Sequence, residues 1–268
     1  MSAPTPEIKQ EPVVLLCGGQ GNRLREETGW RPKALVEIGG RPILWHLMRH
    51  YYHFGYRRFI LCLGYRGNMI KEYFLNYRAM SQDFTLKFRH GKDPELKALG
   101  GDTEEWEVTC VDTGPDTPTG GRLNKIKHLI DTDRFLANYS DGLSDVDLDQ
   151  LVAFHKGHGK VATVTGFRPQ SKYGVVRADD RGVVYQWQEK PLMDDRTSGG
   201  FFVFDKRLFN YLDDEATLEI EPFQSIAGDK EMALYQHDGF WQCMDTFKEA
   251  LAMKAVWDQG QAPWQVWL

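Results

Sequence analysis

Apolar residues along this chain follow two alternating rhythms. Short unbroken runs, as in Val13–Cys17 and Arg58–Leu63, have the pattern of strands buried on both faces. Between them lie longer stretches whose apolar positions recur every three or four residues. Residues 42–54 are one such stretch: Pro42 stands at the first turn, and Ile43, Leu44, Leu47, Met48 and Tyr51 share a face. Residues 68–77 and 148–155 read as further helices. Residues 135–139 and 161–166 read as further strands, the former running into the polar turn Ser140-Asp141-Gly142. This alternation predicts βαβ units, hence an α/β protein with a Rossmann-like, mostly parallel or mixed sheet flanked by helices.

After residue 172 the rhythm changes. Val175-Val176-Arg177 and Val183-Val184-Tyr185 flank a polar segment containing Gly182, the signature of a β-hairpin. Residues 199–204 and Met232–His237 add strands, and residues 246–259 a C-terminal helix. Thr246 and Glu249 have the spacing of a capping box, which leaves Asp245 just outside that helix with its carboxylate free. Residues 76–121 fit neither rhythm, and their portion at 90–101 is polar with interspersed glycine and proline. They read as an inserted flap on one or two antiparallel strands, within a single domain spanning residues 1–268. Tyr51, Tyr52, Phe54 and Tyr56 read as core packing.

Composition narrows the classes. Hydrophobic residues make up 41% of the 268 and charged residues 26%, which supports a packed core and excludes wholesale disorder. Lys plus Arg number 33 against 38 Asp plus Glu, a net charge of −5, so no basic surface for coating nucleic acid is expected. No apolar run approaches the roughly 20 residues of a membrane span, and residues 1–12 lack the features of a signal peptide. A cytoplasmic protein without membrane contact is expected. Cys17, Cys62, Cys110 and Cys243 are scattered, which argues against disulfide, zinc and catalytic-thiol roles. His155 and His158 lack a third ligand, and Asp145, Asp147 and Asp149 lack the glycine and terminal Glu of a calcium loop.

The densest chemical signal follows the first strand, in Cys17-Gly18-Gly19-Gln20-Gly21-Asn22-Arg23-Leu24. Glycines directly after a buried strand let backbone N–H groups approach a phosphate. The spacing is not that of a P-loop. Nor is it the dinucleotide fingerprint, because Leu24 stands where the third glycine belongs, and this disfavours a Rossmann oxidoreductase. A tight strand-to-helix turn would account for the glycines alone. Arg23, Arg31 and Lys33 add three cations, which tips the reading toward a phosphate site.

These residues, from Leu16 through Arg31-Pro32-Lys33-Ala34-Leu35, resemble the glycine-rich signature of the sugar-1-phosphate nucleotidyltransferases. Further stretches resemble the glucose-1-phosphate cytidylyltransferase branch of that family: residues 36–46, Asp112-Thr113-Gly114, Thr119-Gly120-Gly121-Arg122-Leu123, Gly239-Phe240-Trp241-Gln242 with Met244-Asp245-Thr246, and the tail at 260–264. The resemblance implies the fold of nucleotide-diphospho-sugar transferases. It implies a reaction in which an oxygen of a sugar 1-phosphate, glucose 1-phosphate first among them, attacks the α-phosphorus of CTP to give a CDP-sugar and pyrophosphate. Such chemistry needs positioning, charge neutralisation and a metal.

The resemblance also implies the site residues. Nucleotide contacts fall on Leu16, Gly18, Gly19, Gly21, Asn22, Arg23, Lys33, Thr119, Gly120, Arg122 and Asp141, with the stretch at 119–122 near the base. Arg23, Lys33 and Lys190 would be catalytic. Tyr173, Gly174, Glu189, Lys190, Ser198, Gly199 and Gly200 would contact the sugar. Asp141 and Asp245 would hold Mg2+, for which two protein carboxylates is the usual number. Read without the resemblance, Asp141 is a turn residue and Asp245 a helix-start residue. A homo-oligomer is implied as well, with the flap reaching a neighbouring copy.

Asn22, Arg31 and Ala34 replace the pattern's Thr, Lys and Pro and keep polarity and charge where the phosphates would lie. Ser140 for Gly, Ser198 for Asn and Cys243 for Pro cluster around the expected sugar pocket and metal, so acceptor choice is where this chain is expected to differ. The competing readings are the same transfer to another sugar 1-phosphate, or from UTP or dTTP, and a catalytically silent sugar-nucleotide-binding protein. The complete set Arg23, Lys33, Asp141, Lys190 and Asp245 argues against the last.

Overall fold

The computed structural model describes residues 7–100 and 104–267; residues 1–6, 101–103 and 268, part of the expected single domain and, for 101–103, of the expected flap, lie outside the described residues. In chain order the main elements are β1 (Val13–Cys17), α1 (Ile43–His53), β2 (Arg58–Leu63), α2 (Gly67–Leu75), β3 (Glu107–Asp112), α3 (Thr119–Lys125), β4 (Arg134–Tyr139), β5 (Gly142–Ser144), α4 (Leu148–His158), β6 (Ala162–Phe167), β7 (Phe202–Asp205), β8 (Met232–His237), β9 (Trp241–Cys243) and α5 (Phe247–Asp258). The central sheet runs β8–β6–β7–β4–β1–β2–β3, with the short strand Thr197–Ser198 pairing the far end of β6. β7 runs against both its neighbours, while β8 with β6, and β4, β1, β2 and β3 in turn, pair in parallel. The result is a mixed sheet with a parallel centre, as the alternating rhythms predict.

β1 lies between β4 and β2, and its successive side chains feed two cores. Val13 and Leu15 join a layer with Leu44, Leu47 and Tyr51 of α1, Leu151 of α4 and Met253 of α5. Val14 and Leu16 join the opposite layer with Leu123 of α3 and Ile226 of the helix Glu221–Gly228. Burial on both faces is why β1 shows no polar alternation. Tyr51 and Tyr56 are fully buried, as core packing requires. Asp147 caps α4, its Oδ1 accepting from the Gln150 N–H at 3.0 Å, and the Thr246–Glu249 capping box starts α5.

Several stretches depart from the sequence pattern. Within 76–121, Phe84–Lys87 and Glu95–Ala98 form an exposed antiparallel hairpin, but Glu107–Asp112 is an edge strand of the central sheet, parallel to β2. Its half-open position admits the polar residues that masked it. The expected strand at 199–204 is broken by a kink in which Gly200 and Phe201 have φ of 82° and 50°, although Phe201 is fully buried. The helix expected at 68–77 ends at Leu75, and a separate short helix, Tyr77–Ser81, follows. None of the described helices is long and apolar enough to cross a membrane.

Candidate active site

Beyond the carboxyl ends of β1 and β4 lies a cleft of about 490 Å3, its wall including Leu16, Gly18, Gly19, Gly21, Asn22, Arg23, Lys33, Thr119, Arg122, Asp141 and Asp245. This is where open α/β sheets hold their ligands. The loop after β1 owes its shape to its own residues. A Cβ at Gly19 would meet open space, whereas one at Gly18 would lie 2.1 Å from the Arg122 guanidinium carbon. Gly21, at φ 63°, turns the chain into the short 3₁₀ segment Asn22–Leu24, and fully buried Leu24 anchors it. The Thr28 hydroxyl, 2.9 Å from the Gly21 carbonyl and 2.8 Å from that of Leu24, holds the turn closed.

Asp141 and Asp245 meet because β5 pairs antiparallel with β9, Gly142 opposite Cys243, and the Met244 N–H donates to the Asp141 carbonyl at 2.8 Å. The Lys33 ammonium donates to Asp141 Oδ2 at 2.7 Å and to Asp245 Oδ1 at 2.6 Å, and Arg23 Nη1 lies 3.0 Å from Asp245 Oδ2. Burial works to lower the Lys33 pKa, but its neighbours, the Asp141 charge foremost, hold it above the ordinary lysine value. Burial works to raise that of Asp245, yet the hydrogen bond and charge of Lys33, then the charge of Arg23, hold it below the usual carboxylate range. At neutral pH Lys33 and Asp245 are therefore both charged. Cys243 completes it, its sulfur within 4.8 Å of ligand atoms of Asp141 and Asp245, with burial and then Asp141 pushing the thiol pKa up. Two carboxylates converging on one ammonium show that a cation fits between them, and hard oxygen donors suit Mg2+.

Other expected residues lie differently. Arg31 turns to Glu27 and Glu37, with Nε 3.1 Å from Glu27 Oε2 and Nη1 3.3 Å from Glu37 Oε1, so two of the three cations converge on the loop. Gly120 is buried against Ala216, where a Cβ would lie 2.7 Å from the Ala216 carbonyl oxygen. The Thr119 hydroxyl donates to Glu219 at 2.7 Å. Arg122 is buried, its guanidinium engaged by backbone carbonyls beneath the loop.

Tyr173, Gly174, Glu189, Lys190 and Ser198 are absent from the cleft wall. Glu189 and Lys190 form an exposed pair 3.7 Å apart, Lys190 at φ 46°, and Gly174 packs on Trp187 and Glu189. Gly199 and Gly200 are also outside the cleft wall and pack on the strand and turn that carry Asp141: a Cβ at Gly200 would lie 2.4 Å from Asn138 Oδ1, and one at Gly142 3.8 Å from the Gly199 carbonyl oxygen. Trp241 holds this turn in place. The Trp241 indole N–H donates to the Gly199 carbonyl at 3.0 Å, and its ring stacks on Phe167. Its only sequence signal is its place in Gly239-Phe240-Trp241-Gln242.

The sequence model of the nucleotidyl transferase family matches residues 12–248. The chain is 43% identical over 257 residues to the "probable glucose-1-phosphate cytidylyltransferase" of Bacillus subtilis (strain 168), covering 95% of this chain and 99% of that protein. It is 42% identical over 260 residues to the glucose-1-phosphate cytidylyltransferase of Salmonella typhimurium (strain LT2), again covering 95% and 99%. HddC from Yersinia pseudotuberculosis, solved in complex with GMP-PN, shares the fold, with a TM-score of 0.66 at 18% identity over 92% of this chain and 100% of that one. A match over most of the length, on a fold with this cleft at its strand ends, means that the chain belongs to the nucleotidyl transferase family, beside the glucose-1-phosphate cytidylyltransferases.

Proposed function

We propose that this protein transfers a cytidylyl group from CTP to glucose 1-phosphate, giving CDP-glucose and pyrophosphate. The observation that carries the reading is the cluster of Arg23, Lys33, Asp141 and Asp245 at a glycine-lined cleft, in a chain 43% identical along its length to a relative of that description. A phosphate oxygen of the sugar attacks the α-phosphorus; the bond from that phosphorus to the oxygen bridging to the β-phosphate breaks, and pyrophosphate leaves with the electron pair. The protein's share is positioning and charge neutralisation. Backbone N–H groups of the glycine loop would face the triphosphate, and Arg23 and Lys33 would offset charge as it moves onto the leaving group. Asp141 and Asp245 would hold Mg2+, which when bound supplies Lewis-acid neutralisation at phosphate oxygens. Gly199 and Gly200, with Tyr173, Gly174, Glu189, Lys190 and Ser198, make up the acceptor side of the reading. Self-association belongs to the same reading and is supported by the exposed Phe84, Leu86 and Phe88.

The test is pyrophosphate release across four nucleoside triphosphates and a set of sugar 1-phosphates. CTP with glucose 1-phosphate should be the fastest pair. A different best acceptor would move the reading to another CDP-sugar, and a UTP or dTTP preference to another nucleotide. Binding of CTP without release of pyrophosphate with any acceptor would make the protein a silent binder.

A further inference from the structure

We infer that Cys243 gives the divalent-cation site of this protein a sulfur donor, so that thiophilic ions such as Cd2+, Zn2+ and Co2+ bind there through a direct metal–sulfur bond. The inference rests on Asp141 and Asp245 holding the ion, as proposed above. The Cys243 Sγ and one carboxylate oxygen from each of Asp141 and Asp245 all lie within 4.8 Å of one another. Two local features bring them there. Antiparallel pairing of β9 with β5 sets Cys243 opposite Gly142, one residue beyond Asp141. Met244 is fully buried in the core layer that holds Leu44, Leu47 and Met253, while its neighbours on either side, Cys243 and Asp245, both reach Asp141. Proline, which stands at 243 in the pattern this chain resembles, carries no such donor. Scattered cysteines argue against a zinc site in the sequence, but only the folded pairing of β5 with β9 sets this one beside two carboxylates.

The cation now between the carboxylates is the Lys33 ammonium, 2.7 Å from Asp141 Oδ2 and 2.6 Å from Asp245 Oδ1. An entering ion takes that place and releases Lys33. Mg2+ is a hard ion that takes oxygen and keeps its waters, so it uses the carboxylates and leaves the sulfur alone. Softer ions reverse that preference. A tetrahedral ion about 2.1 Å from oxygen and 2.3 Å from sulfur holds its donors about 3.5 Å apart, so no pair here has to close by more than about 1.3 Å. As the metal–sulfur bond forms, the thiol proton leaves for solvent. Among the described residues no other three His, Cys, Asp or Glu side chains gather in this way.

The experiment strips the protein of metal with a chelator, removes the chelator, and titrates Cd2+ or Co2+ without nucleotide while ultraviolet absorption is recorded. A sulfur-to-metal charge-transfer band should grow and saturate at one ion per chain. Cys243→Ser and Cys243→Ala should each lose the band and bind Cd2+ about 100-fold more weakly or worse, since losing even a partner of a metal ligand costs roughly 10–100-fold in affinity. Their calorimetric affinity for Mg2+ should stay level, and the near-isosteric serine keeps the test open if the alanine variant fails to fold. Asp245→Asn should weaken the band in parallel, and Cys110→Ser, at the other half-buried cysteine, should keep it. A wild type without the band, or a band that survives Cys243→Ser, would overturn the inference. So would a band of full affinity in Asp245→Asn, which would mark a lone thiol. If the band behaves as stated but no pair of substrates releases pyrophosphate, the proposed function fails and the sulfur ligand stands; Mg2+-dependent release by a protein without the band leaves the function and sinks the ligand.

Discussion

Gly18 and Gly19 are adjacent and both border the cleft, yet alanine at the two positions should fail in opposite ways. At Gly18 the new methyl would land 2.1 Å from the Arg122 Cζ and Nη1 and 2.6 Å from Nη2, far inside the roughly 3.5–4 Å of a normal contact. The guanidinium has nowhere cheap to go, since moving it strips the carbonyls of Leu63, Gly114 and Pro115 of a donor. Overpacking costs about 1–3 kcal/mol, and a weakened charged hydrogen bond about 1.5–3 kcal/mol. These are not additive, and a net loss of about 3 kcal/mol corresponds to a fall in Tm of roughly 6 °C or more for a chain of this size. At Gly19 a methyl meets nothing within 4 Å, and its φ is not in the left-handed region. Stability should therefore stay level or rise by about 0.5 kcal/mol. The damage falls on the ligand instead, because the methyl projects where the loop backbone would approach a phosphate; the KM for CTP should rise about ten-fold. Thermal melts paired with pyrophosphate-release kinetics on both variants decide it. Gly18→Ala melting within about 1 °C of wild type at full activity would refute the fixed guanidinium, and equal destabilisation by Gly19→Ala would refute the open space above it.

Arg23→Ala should leave the fold intact and lower turnover by about 100-fold or more, since it removes a cation from developing charge; activity within a few-fold of wild type would contradict that role. Asp141→Asn and Asp245→Asn should each abolish Mg2+-dependent turnover, and the double variant should be scarcely worse than either, whereas multiplicative losses would show that the two do not share an ion. The lowered pKa of Asp245 contributes stability that is present above the ordinary carboxylate value and lost as pH falls through the depressed one. Lys33→Met removes the main cause of the depression, so in urea titrations between about pH 3 and 6 it should be less stable than the wild type at the upper end and should lose less stability than the wild type as the pH falls; superimposable profiles would mean that the pair is not formed in solution. Ser offers one short hydroxyl where Asn offers an acceptor and two donor hydrogens, so Ser198→Asn should change the ratio of kcat/KM between glucose 1-phosphate and its epimers or deoxy analogues; an unchanged, sharply glucose-favouring ratio would clear Ser198 of acceptor choice.

What the sequence revealed was whatever local chemistry determines. An all-apolar run marked β1, the glycines after it marked the loop, and helical spacing marked α1, each because the signal lies within a few residues. β3 escaped notice because an edge strand half open to solvent tolerates Glu107, Thr109 and Asp112, so neither rhythm shows. The kink at 199–201 rests on Trp241 and Phe167, whose rings would each lie 2.4–2.5 Å from a Cβ at Gly199, a constraint imposed from other strands. Asp141 and Asp245 carried no mutual signal, since only the pairing of β5 with β9 brings them together; family resemblance, not spacing, linked them. Arg31 shows the converse limit. A cation beside a glycine motif reads as a ligand contact, but Glu27 and Glu37 claim this one.

CTP labelled at its α-phosphorus, incubated with glucose 1-phosphate and Mg2+, tests the central claim most directly. The label should pass into CDP-glucose, with one pyrophosphate released per labelled product, only when acceptor and metal are both present, and Asp245→Asn should transfer none. Label that remains in CTP while CTP and glucose 1-phosphate both bind, or that appears in CMP without entering a CDP-sugar, would contradict it.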